Sequence, residues 1–217
     1  MYLPEHFQES DPARLHDAME AWPLGTLVTA GPGGLDADHL PFELDRGQGP
    51  RGTLRCHVAR SNPVWRAALA SGMPALVIFR GPSGYVSPNW YPEKAATHRA
   101  VPTYNYAVVH AHGRIVVHDD EKWVRGVVAR LTRRHEAGGP APWRMTDAPA
   151  DFIDDQLARI VGLEIRIDRL EGKWKMSQNR PPADRVGVAE GLRAQGDAAS
   201  RELAGEVERA SPPAVRS

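Results

Sequence analysis

Thr53-Leu-Arg-Cys-His-Val-Ala-Arg-Ser-Asn-Pro-Val-Trp65 alternates apolar and polar residues in its first half and then changes period. Read with a period of two, Leu54, Cys56 and Val58 share one face while Arg55 and His57 share the other. A strand here fills a core with one side and displays a guanidinium and an imidazole on the other. Arg60 follows just past the strand. Asn62-Pro63 then opens a helix through Trp65 and Leu69 to Gly72, with Pro at a position where its missing N–H costs nothing and Gly at the end.

Towards the N-terminus, Asp11-Pro12 caps a helix carrying Leu15, Ala18, Met19 and Trp22, which Pro23 ends. Leu24 to Ala30 has strand composition and Gly31-Pro-Gly-Gly34 reads as a turn. Leu40, Phe42 and Leu44 then alternate in a second strand, completing a hairpin. Towards the C-terminus, Ala75 to Phe79 is a short apolar strand, and Gly81-Pro-Ser-Gly84 opens a loop that continues through the Trp- and Pro-bearing segment from Tyr85 to Pro102. Alternation resumes from Thr103 to His118. Ala107, Val109, Ala111, Gly113, Ile115 and Val117 take one face; Tyr104, Tyr106, His110, His112 and Arg114 take the other. A helix capped by Asp119 or Asp120 carries Trp123, Val127 and Leu131, and a further helix carries Phe152, Ile153, Leu157 and Ile160. Leu163, Ile165 and Ile167 give the clearest strand, and Glu171 to Arg180 reads as a polar loop.

About six strands interrupted by irregularly spaced helices argue against a doubly wound sheet and for a mainly β, α+β architecture built on a small antiparallel barrel. A single domain is expected over residues 1–194, with a short helix around Val186 to Leu192. The polar segment 195–217 is expected to be a marginal or disordered helix. With 27 basic and 27 acidic residues and net charge zero, no global field draws the chain to nucleic acid or an acidic membrane. The single Cys56 excludes an intramolecular disulfide and a multi-thiolate zinc site. With no leader pattern and no apolar run of spanning length, a cytoplasmic protein with no membrane partner is expected.

Five segments together resemble the PaiB-type family: Leu54-Arg-Cys-His-Val-Ala-Arg-Ser-Asn-Pro63, Phe79-Arg-Gly-Pro, Tyr85-Val-Ser-Pro-Asn-Trp-Tyr91, Val101-Pro-Thr-Tyr-Asn-Tyr106, and Glu171-Gly-Lys-Trp-Lys-Met-Ser-Gln-Asn-Arg-Pro181. The match runs in order to about Leu192. The family is a branch of the FMN-binding split barrels, so the resemblance implies a split-barrel homodimer with cofactor sites at the subunit interface. It is usually labelled as FMN-binding negative transcriptional regulators. One branch consists of haem-dependent piperazate synthases, which close an N–N bond in the amino-acid substrate N5-hydroxy-L-ornithine with loss of water. Ser83-Gly84, Cys56 and Asp38 depart from the regulators, which carry His-Ala, Gly and Thr there.

The leading expectation is the haem b enzyme. FMN binding with transcriptional repression is the alternative, and a flavin-dependent oxidoreductase the third reading. In the haem reading the resemblance implies His57 as axial iron ligand, since a neutral imidazole on the outer wall leaves the opposite axial position free. Arg55, Arg60, Lys173, Lys175 and Arg180 are the cations for propionates, an FMN phosphate or a substrate carboxylate. Against this stands a plainer reading of Lys173 and Arg180 as solvated loop charges, the commoner fate of any single such residue. Trp174 either stacks on a planar ring or anchors its loop. Ser83, Tyr85, Tyr106 and His110 are the residues expected to line the dimer cleft or substrate pocket and serve catalysis. His110 and His112 have metal-ligating spacing without a recognisable third ligand, and Cys56 is expected in the core. Nucleic acid is a partner only under the repressor reading; Arg130-Leu-Thr-Arg-Arg134, the best basic helix segment, lacks a helix-turn-helix around it.

Overall fold

The alternations anticipated in the sequence become long strands, and the punctuating prolines and glycines do less than expected to break them. The computed structural model describes residues 1–31, 33–72 and 74–210. In chain order the elements are β1 (Gln8–Glu9), α1 (Pro12–Ala21), β2 (Leu24–Gly31), β3 (Gly34–Pro41), β4 (Glu43–Asp45), β5 (Thr53–Ala59), α2 (Val64–Ser71) and β6 (Pro74–Val86). They continue as α3 (Pro92–Thr97), β7 (Thr103–His118), α4 (Glu121–Glu136), α5 (Ala150–Leu157), β8 (Ile160–Lys175), α6 (Pro182–Ala194) and α7 (Ala198–Arg209). The strand order is β3-β2-β6-β7-β8-β5-β4, with β1 also on β8. The pairs β1–β8, β2–β3, β2–β6, β4–β5 and β5–β8 are all antiparallel. This is the expected α+β class with an antiparallel sheet. No helix among the described residues is long and apolar enough to cross a membrane.

The chain forms two compact units. The larger comprises residues 12–79 and 110–170, and the smaller comprises residues 1–11, 80–109 and those from 171 onward. Strands β6, β7 and β8 each contribute to both units along their length.

In the larger unit the opening strand behaves as its alternation dictates. Leu54, Cys56 and Val58 are buried, and they lie opposite Ile165, Leu163 and Val161 of β8. Burial pushes the Cys56 thiol up, keeping it protonated and inert. Asn62 holds the entry to α2 through a bond from the Val64 N–H to its Oδ1 (2.9 Å), and Gly72 closes that helix in the left-handed region at φ 53°. Asp120 caps α4 by accepting from the Trp123 N–H at 2.8 Å. The hairpin is present as β2 and β3, with Pro32 of its turn outside the described residues, but the expected strand Leu40 to Leu44 divides at Phe42. The Phe42 N–H bonds the Pro23 carbonyl (2.8 Å), and its ring packs edge-on against Phe79.

In the smaller unit three expected loops or tails are ordered elements. The Gly81–Gly84 loop is strand, because Gly84 is a close-packing position: a Cβ there would lie 2.8 Å from Leu203 of α7. Part of the Tyr85 to Pro102 loop is helical, as a 3₁₀ turn at Pro88–Trp90 followed by α3. Glu171 to Lys175 ends β8, where β1 pairs Gln8 with Lys173 and Glu9 with Gly172. That distant partner has no local sequence signal. The tail expected to fray instead forms α7 through Arg209, burying Leu203, Ala204 and Val207; residues 211–217 lie outside the described residues.

Candidate functional site

Two regions carry the chemistry singled out in the sequence, one in each unit. In the larger unit, β5 pairs His57 with Gly162. A Cβ at Gly162 would fall 2.1 Å from the Trp123 ring and 3.2 Å from the His118 carbonyl, so α4 packs closely over the residue beside His57. The His118 and Trp123 rings stack at 4.0 Å and 6°. His57 is half-buried, and its Nδ1 is enclosed without a hydrogen-bond partner. Burial lowers its pKa below the ordinary value, so the ring is neutral at pH 7.

The arginines flanking His57 are engaged. Arg55 bridges Asp45 (3.1 Å) and Glu164 (3.3 Å) and donates to the Gln48 side chain. Arg60 grips both oxygens of Asp119 (2.9 and 2.6 Å) and donates to the Ala158 and Ile160 carbonyls. These guanidiniums hold the strand ends together. His110 and His112 share a face with ring centroids 6.2 Å apart, and His112 Nδ1 lies 3.1 Å from an Arg169 nitrogen. The basic helix segment is also partly committed: Arg130 pairs with Glu43, and Arg134 donates to the Glu20 carbonyl.

The smaller unit gathers Lys173, Lys175 and Arg180. Period two puts the two lysines on one side of β8 and Trp174 on the other. Lys173, only 7% exposed, donates to the Tyr2 carbonyl (3.0 Å) with its ammonium 5.6 Å from the Tyr2 ring and 5.4 Å from the Tyr106 ring. Lys175 donates to Thr103 Oγ1 and the Tyr104 carbonyl and approaches the Phe7 ring at 6.0 Å. Arg180 lies 4.8 Å over Tyr91. Burial, then Lys173 and Arg180, push the Lys175 pKa below that of an ordinary lysine. Among the described residues no carboxylate forms an ion pair with any of the three. Lys173 is therefore no solvated loop charge.

Trp174 resolves to the anchoring role: it is 4% exposed and its indole N–H donates to Glu206 of α7 at 3.1 Å. Ser83 accepts from Arg80, and Tyr85 meets Tyr104 edge-on at 6.1 Å with both rings at least half exposed. Ser83, Tyr85, Tyr106, Lys173, Lys175 and Arg180 thus belong to one unit, and Arg55, His57, Arg60 and His110 to the other. Sequence reasoning missed Tyr2, Phe7 and Thr103, whose roles depend on pairings across the chain. The i, i+2 spacing of the lysines was the available signal for their shared face.

Residues 1–169 match the family described as "Putative FMN-binding domain". The chain belongs to this family. Among its relatives, an uncharacterized protein of Aspergillus fumigatus is 36% identical over 88% of this chain and 90% of its own length. The protease synthase and sporulation protein PAI 2 of Bacillus subtilis is 27% identical over 94% and 95%. Solved structures of like fold include the FAD and haem binding protein of Mycobacterium smegmatis (TM-score 0.57, 24% identity, 77% of this chain and 73% of that one). The flavocytochrome Anf3 of Azotobacter vinelandii has a TM-score of 0.59 at 12% identity, covering 83% and 75%. The fold is a split barrel like theirs. An unpaired cation cluster walled by aromatic rings can bind an anionic, planar group; a neutral, unpartnered imidazole can accept a proton or ligate a metal.

Proposed function

We propose that this FMN-binding domain protein is a flavin-dependent oxidoreductase holding FMN against Lys173, Lys175 and Arg180. The observation that carries this reading is three clustered cations with no ion-paired carboxylate among the described residues, one of them with its charged form already penalised by burial and by the other two. A phosphate offsets that penalty. The fork of Arg180 suits bidentate pairing, Tyr106 and Tyr2 offer flat rings beside Lys173, and Phe7 offers one beside Lys175. These residues fit the group. Bound FMN supplies hydride and electron transfer; the chain's own residues bind its phosphate, whose negative charge offsets the burial and the two neighbouring cations that lower the Lys175 pKa. The repressor reading draws less support, since Arg130 and Arg134 are already engaged. The proposal includes a homodimer through the exposed, contacting rings of Tyr85 and Tyr104, an aromatic pair suited to a second copy. A monomer by sedimentation would remove that part.

A second reading, the haem-dependent cyclase that turns N5-hydroxy-L-ornithine into L-piperazate, is favoured by His57, whose burial keeps it neutral and whose Nδ1 is unpartnered. Haem supplies a Lewis-acidic iron for N–O cleavage. The protein's task is to fold the substrate so that its two nitrogens meet. The fit is partial: Arg55 and Arg60 are committed to carboxylates, so propionates need other cations. The test is the absorption spectrum of protein expressed with ample riboflavin and haem precursor. Bound flavin, with affinity reduced at least about tenfold in Lys173→Gln/Lys175→Gln, is the expected result. A Soret band abolished by His57→Ala selects the second reading, and retention of neither cofactor sinks both.

A further inference from the structure

The last turns of α4 present Ala129, Arg133 and Glu136 at helical spacing on one side, Ala137 follows as the C-cap, and the segment 142–146 returns across them. Between them lies a crevice of about 550 Å³, within the range of small-molecule sites. Its far wall is pinned at two points: the Trp143 N–H bonds a Glu136 carboxylate oxygen at 2.9 Å, and the Arg144 N–H bonds Asp147 Oδ2 at 2.8 Å. Met145, in the floor, packs on the cluster of Val124, Ile153 and Leu157. The space is thus held open by anchored backbone.

Its chemistry is apolar and net positive. Trp143 is 43% exposed, an uncommon position for an indole without a partner surface. The Arg133 and Arg144 side chains form no ion pair among the described residues, unlike Arg130, which pairs with Glu43 in the same helix. The lining thus holds two arginines against one carboxylate, Glu136, whose Oε2 is already engaged by the Trp143 N–H. We propose that this crevice is a binding site for an aromatic carboxylate, its ring lying on Trp143 and its charge paired with Arg133 and Arg144. Planar guanidinium forks match a carboxylate, and an indole face suits an aromatic ring. The site lies wholly in the larger unit and does not depend on the cofactor reading.

The test is calorimetric titration of the full chain with 2-naphthoate, with 2-naphthalenemethanol and acetate as partial probes. Saturable binding of one naphthoate per chain is expected, with acetate and the alcohol each at least about tenfold weaker. Arg133→Gln/Arg144→Gln and Trp143→Ala should each weaken naphthoate about tenfold, with an unchanged circular dichroism spectrum. Lys173→Gln/Lys175→Gln should leave the affinity unchanged, which separates this crevice from the cation cluster of the smaller unit. No saturation in the low millimolar range, full affinity in the double arginine variant, or dependence on the two lysines overturns the proposal.

Discussion

The β5 face of the larger unit and the cation cluster of the smaller unit are both rich in positive charge, yet they are built in opposite ways. Around β5 the guanidiniums have carboxylate partners: Arg55 with Asp45 and Glu164, Arg60 with Asp119, Arg130 with Glu43. In the smaller unit Lys173, Lys175 and Arg180 touch carbonyls, a hydroxyl and aromatic rings. A buried charge with its counter-ion is part of the scaffold, and losing either partner strands the other. A partly buried cation among cations raises the free energy of the fold until an anion arrives. Sequence alone puts arginines and lysines in one class; the partners separate them.

The largest break in this contrast is expected from Arg55→Met. It leaves Glu164, whose side chain is 7% exposed, with only the longer contact to Arg166 at 3.8 Å among the described residues. Stability should fall by about 3 kcal/mol in denaturant titration, and Arg55→Met/Glu164→Leu should recover most of it. If the single variant is neutral, β5 is not a structural ion network. The same chemical change at Lys175 should do the reverse. Lys175→Met removes a charge penalised by burial and two cations, so stability should stay level or rise while FMN affinity drops about tenfold. A destabilised Lys175→Met with intact cofactor affinity would erase the distinction.

How far the sequence revealed this follows the range of the interactions. The alternation of Leu54, Cys56 and Val58 against Arg55 and His57 specified the buried face, because period two is a property of adjacent residues. The caps at Asn62, Gly72 and Asp120 were legible for the same reason. What failed was long-range. Glu171 to Lys175 is a strand because β1 lies beside it, and Gly84 tolerates a strand because Leu203 needs the space. α7 is ordered because Leu203, Ala204 and Val207 find a core that their own weakly apolar segment does not announce. Which of the candidate cations are already paired with carboxylates was not written locally.

The half-buried imidazoles sharpen the comparison through pH. Burial is the largest cause of the lowered pKa of His118, followed by opposing contributions from Glu164 and Arg55. The folded pKa lies below the ordinary 6.5, so between the two values the unfolded chain binds more protons. Stability should therefore fall as pH drops through about 6.5 and level off beneath the folded pKa. Denaturant titrations between about pH 7.5 and pH 5.5 check this, with His118→Phe, which can keep the stack on Trp123, giving a shallower fall. An identical slope in the variant would assign the effect elsewhere.

The smallest effect is expected at Arg60→Lys. The pair with Asp119 is well solvated, its side chains 38% and 45% exposed, and exposed pairs contribute about 1 kcal/mol or less. Arg60 also serves the Ala158 and Ile160 carbonyls, a set that one ammonium cannot reproduce, so a loss of about 0.5–1 kcal/mol is expected. Hydrogen bonding to Arg60 is the main cause holding the Asp119 carboxyl below its usual range. The pair's contribution is therefore present above the ordinary carboxylate pKa and lost as pH falls through the lowered one, so the gap between wild type and Arg60→Lys should close in acid. Cofactor affinity should not change. Were Arg60→Lys to release bound cofactor at neutral pH, a carboxylate-paired arginine would be acting as a ligand, and pairing would no longer separate scaffold charges from site charges.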